Sequence, residues 1–110
     1  MAYGGSVIFK ETSIFTKEIV RLLPDAEYKM LQSALMLRPD AGALIRGSGG
    51  LRKIRWSLPG RGKRGALRVI YYWDPPDVVF MLLPYEKNEQ ENLTAGQLKT
   101  LRAVVQEGWS

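Results

Sequence analysis

The sequence contains no cysteine and no histidine. Without cysteine there is no disulfide, no zinc finger, no iron–sulfur ligation and no thiol nucleophile. Without histidine there is no Ser-His-Asp triad, no imidazole metal site and no imidazole acid–base pair. In an enzyme of this composition proton transfer falls to Lys, Arg, Tyr, Asp or Glu. Long apolar runs are missing as well. The longest strongly apolar one, Val78 to Leu83, has six residues, against about 20 needed to cross a bilayer. The opening Met1-Ala2-Tyr3-Gly4-Gly5 is not a basic segment followed by an apolar one, so no signal peptide is expected. These absences suit a reducing, cytoplasmic setting.

Acid is missing over one stretch. From Ala41 to Trp73 there is no Asp or Glu, while Arg46, Arg52, Lys53, Arg55, Arg61, Lys63, Arg64 and Arg68 give that stretch a charge of +8. The whole chain carries +5, so the remainder is net acidic. Basicity concentrated in this way is the footprint of a surface that meets a polyanion. A solvated basic loop and strand face is the bland alternative. What is present in ordinary amounts, 45% apolar and 25% charged residues over 110 positions, suits one globular domain spanning residues 1–110.

Patterning gives the order β-α-α-β-β-β-α. Ser6 to Lys10 reads as a short strand. Thr12 or Ser13 can cap a helix with the stripe Ile14, Phe15, Ile19, Leu22 and Leu23, which Pro24 ends. Asp25 opens a second helix with Tyr28, Leu31, Ala34 and Leu35 on one face, limited by Pro39. Asp40 to Gly50 reads as a glycine-rich loop. Leu51 to Trp56 and Ala66 to Trp73 read as strands joined by the turn region Leu58 to Gly65. Val78 to Leu83 is apolar at every position and reads as a strand buried on both faces. Thr94 and Gln97 form a capping box for a last helix with the stripe Leu98, Leu101, Val104, Val105 and Trp109 nearby. The expected class is α+β: a small, mainly antiparallel sheet, two N-terminal helices packed on one face, and a C-terminal helix.

Strand alternation sorts the cations. If Ile54 and Trp56 face the helices, Lys53 and Arg55 share the opposite, wet face, and Arg52 falls on Ile54's side. In the next strand, Val69 inward places Arg68 and Tyr72 outward, close to Lys53 and Arg55. The turn Arg61-Gly62-Lys63-Arg64-Gly65 is a second basic element, without a P-loop match. Tyr85 and Lys87 lie at the end of the last strand. Tyr72, Tyr85 and Trp56 are candidates for stacking on bases, although Trp56 and Trp73 suit the core. Glu86, Glu89 and Glu91 lie in a polar stretch, with no carboxylate pair spaced for metal-assisted hydrolysis; no metal and no cofactor is expected.

The stretches Glu27-Tyr28 into Ala34-Leu35-Met36-Leu37-Arg38-Pro39, then Gly47 to Arg55, Gly62 to Gly65, Arg68-Val69-Ile70-Tyr71-Tyr72 and Leu82 to Glu89 are individually short, but fairly specific in their order and spacing. Together they resemble the HigB/RelE toxins, of the RelE/ParE superfamily of bacterial toxin–antitoxin systems, with the HigB branch nearest. The resemblance runs from Val7 to about Trp109. It implies a RelE-like fold and a ribosome-dependent endoribonuclease, an mRNA interferase that enters the ribosomal A site and cuts mRNA there. The substrate's own 2′-hydroxyl is then the nucleophile, without metal. Carried over by position, the catalytic set is Lys53, Arg55, Arg68, Lys87 and Tyr85, and the RNA- or ribosome-binding set is Arg52, Arg61, Lys63, Arg64 and Tyr72. Lys53 or Lys87 would move protons, while Arg55 and Arg68 would stabilise charge on the phosphate. RelE carries a tyrosine C-terminal to its last basic residue; here no tyrosine follows Lys87, and Tyr85 precedes it. The implied partners are the ribosome with its mRNA and a cognate antitoxin carrying a DNA-binding, helix-turn-helix domain. A ParE-like inhibitor of DNA gyrase and a non-catalytic RNA- or ribosome-binding module are the alternative readings.

Overall fold

In the computed structural model, residues 7–57, 66–87, 89–90 and 92–107 are described. The chain runs β1 (Ile8–Glu11), α1 (Ser13–Leu22), α2 (Asp25–Leu37), β2 (Ala43–Leu44), β3 (Arg52–Trp56), β4 (Leu67–Asp74), β5 (Val78–Glu86) and α3 (Ala95–Gln106). Thr12 starts α1 as expected of a cap: its Oγ1 accepts from Phe15 N at 3.0 Å. The same Oγ1 donates to Leu82 O at 2.9 Å, which ties the helix start to β5. Pro24 ends α1 by occupying the N-cap of α2, and Arg38, just before Pro39, is the extended C-cap of α2. At α3 both halves of the capping box form: Gln97 N donates to Thr94 Oγ1 at 3.1 Å, and Thr94 N donates to Gln97 Oε1 at 2.9 Å.

One five-stranded sheet has the order β1-β5-β4-β3-β2. Three pairings are antiparallel, and β1 lies parallel to β5, with Ile8 opposite Val78 and Glu11 opposite Met81. The register between β4 and β5 slips at Ile70/Tyr71, so Leu82 is the extra residue of a bulge. Leu82 and Leu83 both therefore join the core on α3's side of the sheet. Pro84 is tolerated inside β5 because β1 has already ended opposite Met81, leaving that side of β5 without a partner strand.

Both faces of the sheet are covered. On one, Phe15, Ile19 and Leu22 of α1 and Leu31 and Leu35 of α2 pack on Val69, Tyr71, Val79 and Met81. On the other, Leu98, Leu101 and Val105 of α3 pack on Leu51, Ile70, Phe80 and Leu82. β5 is thus buried from both sides, as its unbroken apolar run predicts. Three expectations need correction. The face of the sheet opposite α1 and α2 is not wet throughout, because α3 builds a second core on it. Ile14 is 46% exposed and does not belong to the buried stripe of α1, which is Phe15, Ile19 and Leu22. Within the loop expected from Asp40 to Gly50, Ala43 and Leu44 pair with Lys53 and Arg52 as a short edge strand. Among the described residues no helix is long and apolar enough to cross a membrane.

Candidate functional site

The antiparallel register of β3, β4 and β5 lays a row of functional groups across the sheet. Arg55 stands opposite Arg68, and Arg68 stands opposite Tyr85. Lys53 lies two residues from Arg55 on the same side of β3, opposite Ile70. The alternation expected for β3 and β4 therefore holds: Lys53, Arg55 and Arg68 share one face, and Ile54, Trp56 and Val69 belong to the other.

Their exposures differ from an open basic face. Arg55 is exposed and Lys53 half-buried, whereas Arg68 is 4% and Tyr85 5% exposed. Arg68 Nη1 donates to Ala66 O at 3.2 Å, its one hydrogen bond among the described residues, and no described carboxylate pairs with it. Two cations directly opposite each other in a sheet repel, and a buried guanidinium carries a desolvation penalty that a single carbonyl only partly offsets. An anion at Arg55 and Arg68 would relieve both terms. Charge held away from water is also screened little by salt.

Past β5 the chain returns to Lys53 at Asn92. Lys53 Nζ donates to Asn92 Oδ1 at 3.4 Å. Lys87 is exposed and follows β5 directly, in a turn closed by Glu89 N and Gln90 N donating to Glu86 O at 3.0 and 3.3 Å. Glu89 Oε1 accepts from Glu86 N at 3.1 Å, and Glu89 Oε2 meets Arg21 at 3.2 Å. The Glu86 backbone donor, with a smaller contribution from Arg21, holds the Glu89 carboxyl below its usual range. Glu89 therefore serves the turn that carries Lys87.

The other expected residues divide. Arg52 lies on the far face, where its Nη1 donates to the carbonyls of Asp40 (3.1 Å) and Gly42 (2.8 Å). Beside it Tyr71 Oη accepts from Gly42 N at 2.8 Å and donates to Pro39 O at 2.7 Å, and burial pushes its phenol up. Arg52 thus holds the 39–42 loop and does not join the row. Tyr72 is on the row's face, half-buried, its ring centroid 6.3 Å from that of Phe80. Trp56 packs on the α1/α2 core and donates through Nε1 to Glu27 at 3.2 Å. Arg61, Lys63 and Arg64, with the other residues of 58–65, lie outside the described residues, as do Glu91 and Trp109. Sequence reasoning missed Asn92; a polar residue 39 positions from Lys53 leaves no local signal of that contact. Among the described residues no three Asp or Glu side chains are grouped as metal ligands would be. No protein-family model matches the chain.

Proposed function

We propose that the chain is the toxin of a type II toxin–antitoxin system, a ribosome-dependent endoribonuclease acting on translated mRNA in the cytoplasm. The observation that carries this reading is the Arg55–Arg68–Tyr85 row, with Lys53 on the same side of β3 and Lys87 two residues beyond Tyr85 in the chain. In the proposed reaction the 2′-oxygen of the substrate forms a bond to the adjacent phosphorus as the bond to the 5′-oxygen breaks. One of Lys53 and Lys87 takes the 2′-hydroxyl proton as a neutral amine, and the other, as an ammonium, gives a proton to the leaving 5′-oxygen. Arg55, exposed, meets the phosphate directly. Arg68, opposite it on β4, supplies positive charge where the pentavalent phosphorane gains negative charge. Tyr85 lines the same end of the row and orients the strand or relays a proton. In this reading the partner that silences the toxin is an antitoxin with a helix-turn-helix DNA-binding domain.

The test is induced expression in bacteria with 5′-end mapping of cellular mRNA, beside Arg55→Ala and Lys87→Ala. Both substitutions change exposed side chains, so loss of function is not loss of fold. In-frame cuts within translated regions that fall at least tenfold, on the order of 1.4 kcal/mol of transition-state stabilisation, in either variant support the proposal. Growth arrest with intact mRNA and DNA-damage signalling would replace it by gyrase inhibition. RNA binding without cleavage or arrest would leave a binding module.

A further inference from the structure

A second basic place lies at the other end of the strands from Arg68, where the turn entering β3 meets α3. Residues 46–50 (Arg-Gly-Ser-Gly-Gly) form this turn, closed by Ser48, whose Oγ donates to Ile45 O at 2.6 Å and accepts from Leu51 N at 3.0 Å. Gly49 and Gly50 hold positive φ, 73° and 108°, and each leaves room for one particular side chain. A Cβ on Gly49 would overlap the Arg102 guanidinium, and a Cβ on Gly50 would lie 2.9 Å from Tyr72 Cε1. Arg102 reaches over from α3, its Nη1 donating to the carbonyls of Ser48 (3.3 Å) and Gly49.

Between the turn and α3 opens a cavity of about 460 Å³ whose walls include Arg46, Ser48, Lys99 and Arg102. It is lined by three cations and no carboxylate. Among the described residues Arg46 and Lys99 are exposed and form no ion pair, and the hydrogen bonds of Arg102 go to carbonyls. A second cavity of about 260 Å³ adjoins it, sharing Gly49 and Arg102 and bounded by Tyr72, Phe80 and Asp74. Three cations converging on one cavity repel one another, and an anion that joins them relieves that repulsion. The carbonyls engage one guanidinium nitrogen of Arg102, so its remaining N–H donors are available to a ligand. An aromatic wall beside a cationic one suits a base next to its phosphate.

We propose that these joined cavities form a nucleotide subsite, in which Arg46, Lys99 and Arg102 hold a phosphate and Tyr72 faces the base. The subsite is separate from the basic row, since Tyr72 lies four residues along β4 from Arg68, roughly 13 Å at strand rise. It does not depend on whether that row cuts RNA. A free nucleoside monophosphate and one unit of a single-stranded RNA share the chemistry it recognises.

Amide NMR titrations of the full chain with uridine monophosphate and with a short single-stranded oligouridylate test the assignment. The amides of Gly47, Gly49 and Lys99 shift. A shift with the mononucleotide assigns a free-nucleotide site, and a shift with the oligomer alone assigns a strand subsite. Arg46→Ser/Lys99→Ser, which touches only exposed side chains, melts like the parent chain but binds the shifting ligand roughly tenfold more weakly. Its log–log salt slope is shallower by about 0.7 for each phosphate that is no longer neutralised. Arg55→Ser leaves the turn shifts in place. Unmoved turn amides with both ligands, or unchanged affinity and slope in the double variant, overturn the proposal.

Discussion

A guanidinium buried next to another guanidinium persists only where the rest of the molecule compensates for it, and Arg68 makes that demand here. It is 4% exposed, faces Arg55 across the strand pair and has one described carbonyl acceptor. Removing such a charge and keeping its bulk relieves desolvation and repulsion together. Arg68→Met is therefore expected to raise unfolding stability by about 1–3 kcal/mol in urea titrations while weakening RNA binding, the usual opposition between stability and a working site. A loss of stability would mean that Arg68 is compensated more fully than its described partners indicate. Tyr28 presents the opposite case, a half-buried polar group that is satisfied. Its hydroxyl donates to Glu11 Oε2 at 2.5 Å, and Glu11 also accepts from Thr16 Oγ1 at 2.6 Å. Burial first, then this hydrogen bond, pushes the Tyr28 phenol well above its ordinary value. Folding thus favours the neutral phenol. That contribution is complete below the unfolded pKa of about 10 and is lost as pH rises past it. Tyr28→Phe costs about 1 kcal/mol near neutral pH, and its stability declines less steeply than the parent's above pH 10 in alkaline denaturation series.

Elements were legible where the signal is local. The Thr12 cap, the Pro24 break, the end of α2 before Pro39 and the Thr94/Gln97 box all depend on residues within a turn of one another, and all appear in the structure. The common face of Lys53, Arg55 and Arg68 was legible too, because alternation along a strand is a local rule and the hairpin fixes the register. What escaped depends on distant partners. The edge strand Ala43–Leu44 is two residues long and exists only because β3 is beside it. The burial of Arg68 and Tyr85 needed knowledge that this face of the sheet carries its own core. The lysine–asparagine contact and the arginine from α3 lying on Gly49 are likewise set by how α3 and the segment before it dock. Capping decides how firmly they dock. Thr94→Ala removes one half of the box and leaves Gln97 N without its acceptor, so a loss of about 1 kcal/mol is expected in thermal or urea unfolding. Because α3 covers Leu82 and Ile70, amide exchange in α3 should accelerate more than exchange in α1, an outcome that a uniform loss of stability would not produce.

For the whole molecule, the arrangement is a sheet between two helical layers, with the α1/α2 core on one side and the α3 core on the other. The proposed row and the proposed nucleotide subsite lie on the α3 side, at the two ends of β4, so a single strand could follow one face from the first to the second. The α1/α2 side holds the more conventional packing, with Arg52 spent on the 39–42 loop. β5 packs in both cores and, among the described residues, is the only strand paired with β1. That pairing, Ile8 to Glu11 alongside Val78 to Met81, joins a strand made before α1 to one made after β4. Until β5 has emerged, β1 has no neighbour, neither core can close, and Arg68 has no Tyr85 opposite it. A chain still being translated thus lacks the assembled row until β5 has left the ribosome, and if the row cuts messenger RNA, no cut precedes the synthesis of that strand.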